Sequence, residues 1–198
     1  MNMSRNDPRS AQTVIFLGIS GSGKDTQAEF LLRAWGRRGK RISTGDGLRR
    51  MMRRKNLAGR YVKRVLDRGG LVPAWGPVYV WLSAFIERLE GDEHLVFTGA
   101  PRRIGEAILL DGFMRDIGRP LPRAIYLNIS DGVVVERLLA RGRHDDNPRA
   151  IKGRINFFKV HVSEVIRYYR RRRRLVEING DRDVPAVCRD IKRALNAR

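Results

Sequence analysis

The residues best suited to chemistry in this chain form the run Gly18-Ile19-Ser20-Gly21-Ser22-Gly23-Lys24-Asp25-Thr26. An apolar stretch, Thr13-Val14-Ile15-Phe16-Leu17, leads into it, and a helical pattern, Gln27-Ala28-Glu29-Phe30-Leu31-Leu32, leads out. A strand, a glycine-rich turn and a helix N-terminus together make an anion cradle. Backbone N–H groups converge on phosphate oxygens, and the helix dipole favours negative charge. Glycines let the backbone approach closely enough to make those bonds. Lys24 adds a point charge. The spacing predicts a nucleotide phosphate loop in which Gly18, Ser20, Gly21, Ser22, Gly23, Lys24, Asp25 and Thr26 hold ATP. The strict motif sets a magnesium-binding hydroxyl immediately after the lysine. Here Asp25 occupies that place and Thr26 follows, so Asp25 or Thr26 is the candidate Mg2+ ligand.

Such a loop needs a scaffold. Short apolar runs bounded by Gly, Pro or charge predict strands near 13–18, 41–43, 94–98, 123–128 and 175–179, with helical stretches between them. That alternation implies an α/β fold: a three-layer P-loop NTPase with a five-stranded parallel sheet and helices on both faces. Ligands then bind at the carboxyl ends of the strands. Residues 1–12 read as a disordered polar tail without the apolar core of a signal peptide, and 13–198 as one domain.

Composition narrows the partners. There are 41 Lys and Arg against 21 Asp and Glu, a net charge of +20. Polyphosphate substrates use some of that excess, and a nucleic-acid surface is a second use. The run Arg170 to Arg174, after Tyr168 and Tyr169, is the candidate patch for nucleic acid. The single cysteine, Cys188, allows neither an internal disulfide nor a structural zinc site, and it fits a reducing, cytoplasmic setting. No stretch approaches the roughly 20 apolar residues of a membrane helix. A monomer is expected.

Four blocks in order, and a fifth between them, resemble the adenylate kinase family of nucleoside-monophosphate kinases. They are Gly18–Gln27, Ile42-Ser43-Thr44-Gly45-Asp46-Gly47-Leu48-Arg49, Gly99-Ala100-Pro101-Arg102, Arg137 through Arg141-Gly142-Arg143-His144-Asp145-Asp146-Asn147, and Gly70-Leu71-Val72-Pro73. The resemblance implies transfer of the ATP γ-phosphate, with Mg2+, to a nucleoside monophosphate. It implies a helical acceptor insert near 44–73 and a short lid near 141–149. Lys24, Arg102, Arg137, Arg141, Arg143 and Arg154 then correspond to the catalytic clamp, with Arg137 and Arg141 also on ATP. Thr44, Gly45, Arg49, Leu71, Val72, Gly99, Arg102, Glu106, Arg143 and Arg154 correspond to the monophosphate site. Asp145 and Asp146 resemble the acidic pair that orients the arginines. Clamping by several guanidinium groups suits a transition state whose charge spreads over phosphoryl oxygens.

Three positions depart from the family pattern. Thr98 stands where an aspartate usually helps hold the magnesium water shell. Asp25 either supplies that missing carboxylate or caps the helix. Ala100 replaces an aromatic residue, which implies a wider acceptor pocket. Glu106 replaces a glutamine that reads adenine. A carboxylate only accepts hydrogen bonds, which suits guanine or uracil better than adenine. Alternatively, Glu106 is a solvated helix residue and backbone atoms read the base. A reading from another class is a nucleic-acid- or ribosome-associated protein on the same scaffold, with weak or no kinase activity.

Overall fold

The computed structural model describes residues 11–68, 70–142 and 148–196. Five parallel strands, β1 (Thr13–Leu17), β2 (Gly39–Ser43), β3 (His94–Thr98), β4 (Arg123–Asn128) and β5 (Leu175–Asn179), form one sheet in the order β2-β3-β1-β4-β5. The expected strands 94–98, 123–128 and 175–179 are those observed. β2 begins two residues earlier than expected, because pairing of Gly39 with His94 and of Lys40 with Leu95 extends it past its apolar part.

Alternation along β1 and β3 makes two cores. Ile15, Leu17, Leu95 and Phe97 face one side, with Trp81 of α4 (Trp75–Arg88), Leu110 of α5 (Ile104–Asp116) and Tyr169 of α8 (Ser163–Arg171). Val14, Phe16 and Val96 face the other side, with Leu31 of α1 (Lys24–Trp35) and Ile191 of α9 (Val184–Asn196). A sheet buried on both faces explains why its central strands read as unbroken apolar runs.

The first described residues do not behave as a tail. Ala11 is buried, and Gln12 donates its N–H to His94 Nδ1 at 3.0 Å and accepts the Leu95 N–H at 2.8 Å. The expected tail therefore stops short of Ala11 on this side, and positions 1–10 lie outside the described residues.

α2 (Thr44–Met52) and α3 (Leu57–Asp67) lie in the span 44–73 and pack with α4 around Leu48, Met51, Val62, Val72 and Val80. Two glycines let valine side chains lie directly on the backbone there. A Cβ on Gly47 would lie 2.3 Å from Val80 Cγ1, and one on Gly76 would lie 2.6 Å from Val72 Cγ1. On the other side of the sheet's carboxyl edge are α6 (Asp131–Arg141) and α7 (Pro148–Phe157). A π-helical stretch, Phe158–Val162, joins α7 to α8. No helix among the described residues is long and apolar enough to cross a membrane.

Candidate active site

The phosphate loop leaves β1 and enters α1 through Gly23, the N-cap, whose φ of 87° suits glycine. Gly18 is needed for space: a Cβ there would lie 2.6 Å from Ser22 Oγ and 2.9 Å from Leu127 O. Lys24 folds its ammonium over the loop, donating to Ile19 O at 2.5 Å and Ser22 Oγ at 3.3 Å. Ser22 is buried, Ser20 and Gly21 are half-buried, and Asp25 and Thr26 are exposed.

On the acceptor side, Ser43 ends β2 and its hydroxyl accepts the Asp46 N–H at 3.2 Å, capping α2. Asp46 binds Arg49 at 2.5 Å and Arg41 at 2.9 Å, and Arg41 reaches Glu29 of α1 at 2.7 Å. This chain of charges ties α1 to α2. Arg41 is a site residue that no motif in the sequence singles out. Burial opposes ionisation of Asp46, but hydrogen bonds from Ser43, Arg49 and Arg41 outweigh it and hold the carboxyl well below its ordinary range. A depressed native-state pKa adds stability above the unfolded value and loses it as pH falls through the native one. The melting-temperature gap between wild type and Asp46→Asn should therefore be flat at neutral pH and narrow below about pH 4. A gap unchanged on acidification would show that the carboxylate's charge does not matter there.

The carboxyl end of β3 holds the most crowded charge. Gly99 has φ 89°, and a Cβ there would lie 2.6 Å from Thr44 Oγ1 and 3.5 Å from an Arg102 terminal nitrogen. Glycine thus lets the Thr44-Gly45 turn close against the guanidinium. Thr44 is buried and donates its hydroxyl to Thr98 O at 3.5 Å. Arg102 turns back across the strand end, Nε donating to Gly99 O at 2.7 Å. Burial disfavours its charge, Glu106 favours it, Arg154 of α7 opposes it and Asp25 of α1 favours it, for a net downward shift. Three helices therefore bring charge to one guanidinium.

Glu106 is neither solvated nor free. It is 4% exposed, and Oε2 accepts the Arg102 N–H at 2.9 Å. Arg103 is the N-cap of α5, so Glu106 is the third helical residue reaching back, the acidic half of a capping box. Burial pushes its carboxyl up, opposed by the backbone N–H groups of Arg102 and Arg103 and by the positive charges of those residues. The expectation of a solvated residue is corrected: Glu106 is buried and caps α5.

The remaining candidates divide. Arg137 donates to Gly180 O at 3.1 Å, which holds it beside the turn after β5. Arg154 is half-buried on α7. Arg141 closes α6 four residues after Arg137. Arg143, Asp145 and Asp146 lie outside the described residues, as does most of the expected lid. Leu71 is half-buried, and the Val72 side chain is buried with Leu48, Met51, Val62 and Val80. Trp75 is 44% exposed and stands 5.9 Å from the Tyr61 ring beside that core.

The arginine run at the end of α8 is largely used within the fold. Arg170 pairs with Glu177 at 2.7 Å, Arg172 lies 3.7 Å over the Tyr168 ring, and Arg174 pairs with the buried Asp111. Arg173 adopts φ 54° and ends the helix. Three members of the expected nucleic-acid patch thus also hold the protein's own carboxylates and rings. Among the described residues, no three His, Cys, Asp or Glu gather into a metal site. Mg2+ is commonly carried by substrate phosphates with one or two protein oxygens, and Asp25 and Thr26 beside Lys24 fit that need.

A family model described as adenylate kinase matches residues 16–174. "Adenylate kinase 1" of Synechocystis sp. is 35% identical over 186 residues, covering 92% of this chain and 96% of that protein. "Adenylate kinase 1" of Nostoc sp. is 34% identical, covering 93% and 98%. "Adenylate kinase" of Leuconostoc mesenteroides is 30% identical, covering 94% and 98%. These comparisons give the nucleic-acid-associated reading no support. A glycine-rich loop between β1 and α1, a helical pair after β2 and arginines at the carboxyl edge of one parallel sheet agree with them: the chain belongs to the adenylate kinase family of nucleoside-monophosphate kinases.

Proposed function

We propose that this kinase transfers the γ-phosphoryl group of magnesium-bound ATP to AMP. The observation that carries the reading is the place of Arg102: its Nε donates to Gly99 O at the carboxyl end of β3, the strand between β1, which leads into the phosphate loop, and β2, which leads into α2. The names of the relatives support AMP. So does Glu106: a guanine clamp needs carboxylate oxygens aimed at the base, and this carboxylate already accepts backbone N–H groups.

Loop amides and Lys24 hold the donor phosphates. Arg49 and Arg102 hold the acceptor phosphate, which must displace Asp46 from Arg49. Arg137 and Arg154, with Arg141 and Arg143, balance charge on the transferring group. An oxygen of the AMP phosphate bonds to the γ-phosphorus as the bond to the β–γ bridging oxygen breaks, giving two ADP. That oxygen is already ionised, so no general base is needed, and positioning does most of the work. When bound, Mg2+ neutralises charge on the β- and γ-phosphate oxygens.

An ADP-release assay with AMP, GMP, CMP, UMP and dTMP tests this, with Lys24→Ala as background. Preference for AMP by at least about tenfold in kcat/KM is expected, roughly 1.4 kcal/mol of discrimination. Faster turnover of GMP or UMP would overturn the acceptor assignment and return Glu106 to base reading.

A further inference from the structure

Two departures from the usual phosphate-binding pattern meet at one place. Phosphate-loop enzymes commonly hold magnesium between a hydroxyl on the loop and an aspartate at a strand end. This chain has a carboxylate on the loop, Asp25, and a hydroxyl at the neighbouring strand end, Thr98. β3 pairs directly with β1, Thr98 opposite Phe16. Val96, two residues before Thr98, packs with Val14, Phe16, Ala28 and Leu31, so by alternation Thr98 faces α1. Thr98 is 3% exposed, and among the described residues its Oγ1 has no hydrogen-bond partner. A buried hydroxyl without a partner costs about 1–3 kcal/mol, so a polar occupant is missing from its surroundings.

Asp25 is the second residue of α1 and exposed, and its charge is felt by both Arg102 and Arg41. β1, whose loop opens α1, and β3 lie side by side, so Asp25 at the start of α1 and Thr98 at the end of β3 belong to the same edge of the sheet.

We propose that the carboxylate holding Mg2+ has moved from the strand to the loop: Asp25 binds the ion on ATP, and the Thr98 hydroxyl serves its water shell. The inference rests on the reading of MgATP as donor, but not on the acceptor. Thr26, one residue further into α1, is not the ligand.

The test uses Mn2+ in place of Mg2+, with free Mn2+ followed by electron paramagnetic resonance in the presence of enzyme and ATP and no acceptor. Asp25→Asn and Asp25→Gly are expected to weaken Mn2+ binding to the enzyme–ATP complex about 10–100-fold. Metal-free ATP should bind these variants at least as well as wild type, because a negative charge has gone. Thr26→Val should stay within about twofold. The double variant Asp25→Gly, Thr98→Asp should regain most of the loss, and melting curves confirm that each variant is folded. Unchanged Mn2+ affinity in Asp25→Gly would overturn the proposal, as would a loss carried by Thr26→Val or no recovery in the double variant. Because no acceptor is present, failure of the AMP assignment leaves this outcome readable.

Discussion

Arg102→Ala should lower kcat about a thousandfold, with a smaller rise in the KM for the monophosphate. One arginine on a transferring phosphoryl group contributes roughly 10³–10⁵ in rate where it stabilises the transition state. Arg102 meets the geometric conditions for that role. Its Nε is tied to Gly99 O at 2.7 Å, which fixes the fork before substrate arrives. Burial disfavours its charge and outweighs the favourable pull of Glu106, so an incoming phosphate meets a cation that gains from a further counter-charge. Arg102→Lys should recover less than about a tenth of the loss, because an ammonium cannot grip two oxygens at once. The fold should be unaffected, since removing a partly buried cation beside Arg154 costs little. Steady-state kinetics with AMP titration checks the prediction. A loss under tenfold would place the clamp on the other arginines.

Asp111→Ala should be the most destabilising substitution away from the cleft. Asp111 is fully buried at 0% exposure in mid-α5, accepting from Arg174 through both terminal nitrogens and from Tyr168 Oη at 2.7 Å. Arg174 also donates to Pro122 O at 3.1 Å and lies 5.1 Å over the Tyr169 ring. Alanine leaves a mostly buried guanidinium without its counter-charge and Tyr168 without its acceptor. Breaking one side of a buried pair costs about 3–5 kcal/mol. At roughly 2–4 °C per kcal/mol for a chain this size, the melting temperature should fall by about 10 °C. Asp111→Leu with Arg174→Met should lose much less, because no orphaned charge remains. The pair sits at the amino end of β5, opposite the phosphate loop, so kcat at low temperature should be preserved. A melting shift under about 2 °C for Asp111→Ala would rule out this role.

These two arginines show where sequence reading succeeds and where it stops. Arg102 was legible because Gly99-Ala100-Pro101-Arg102 resembles a block of the adenylate kinase family, and the structure sets it at the end of β3. Arg174 was not. Within Arg170–Arg174 nothing local separates the fifth arginine from the others. Its partner is 63 residues earlier in the chain, and the turn at Arg173 that admits it needs a positive φ in a residue type that rarely adopts one. β2 was read short because Gly39 and Lys40 owe their extension to β3, not to their own apolarity. The π stretch after α7 had no signal in the residues. Glu106 is the instructive case. Its N-cap is Arg103, not the Ser, Thr, Asp or Asn of a capping-box signature, so only the fold reveals that Glu106 caps α5.

The seam of the acceptor insert has an evolutionary consequence. At Gly47 and Gly76 a hydrogen atom is the largest substituent that the opposing Val80 and Val72 tolerate. Neither position can drift alone by the usual small steps, since even a methyl group strikes the facing valine side chain. A change at either glycine is tolerated only together with a smaller residue at its valine, so each contact evolves as a pair.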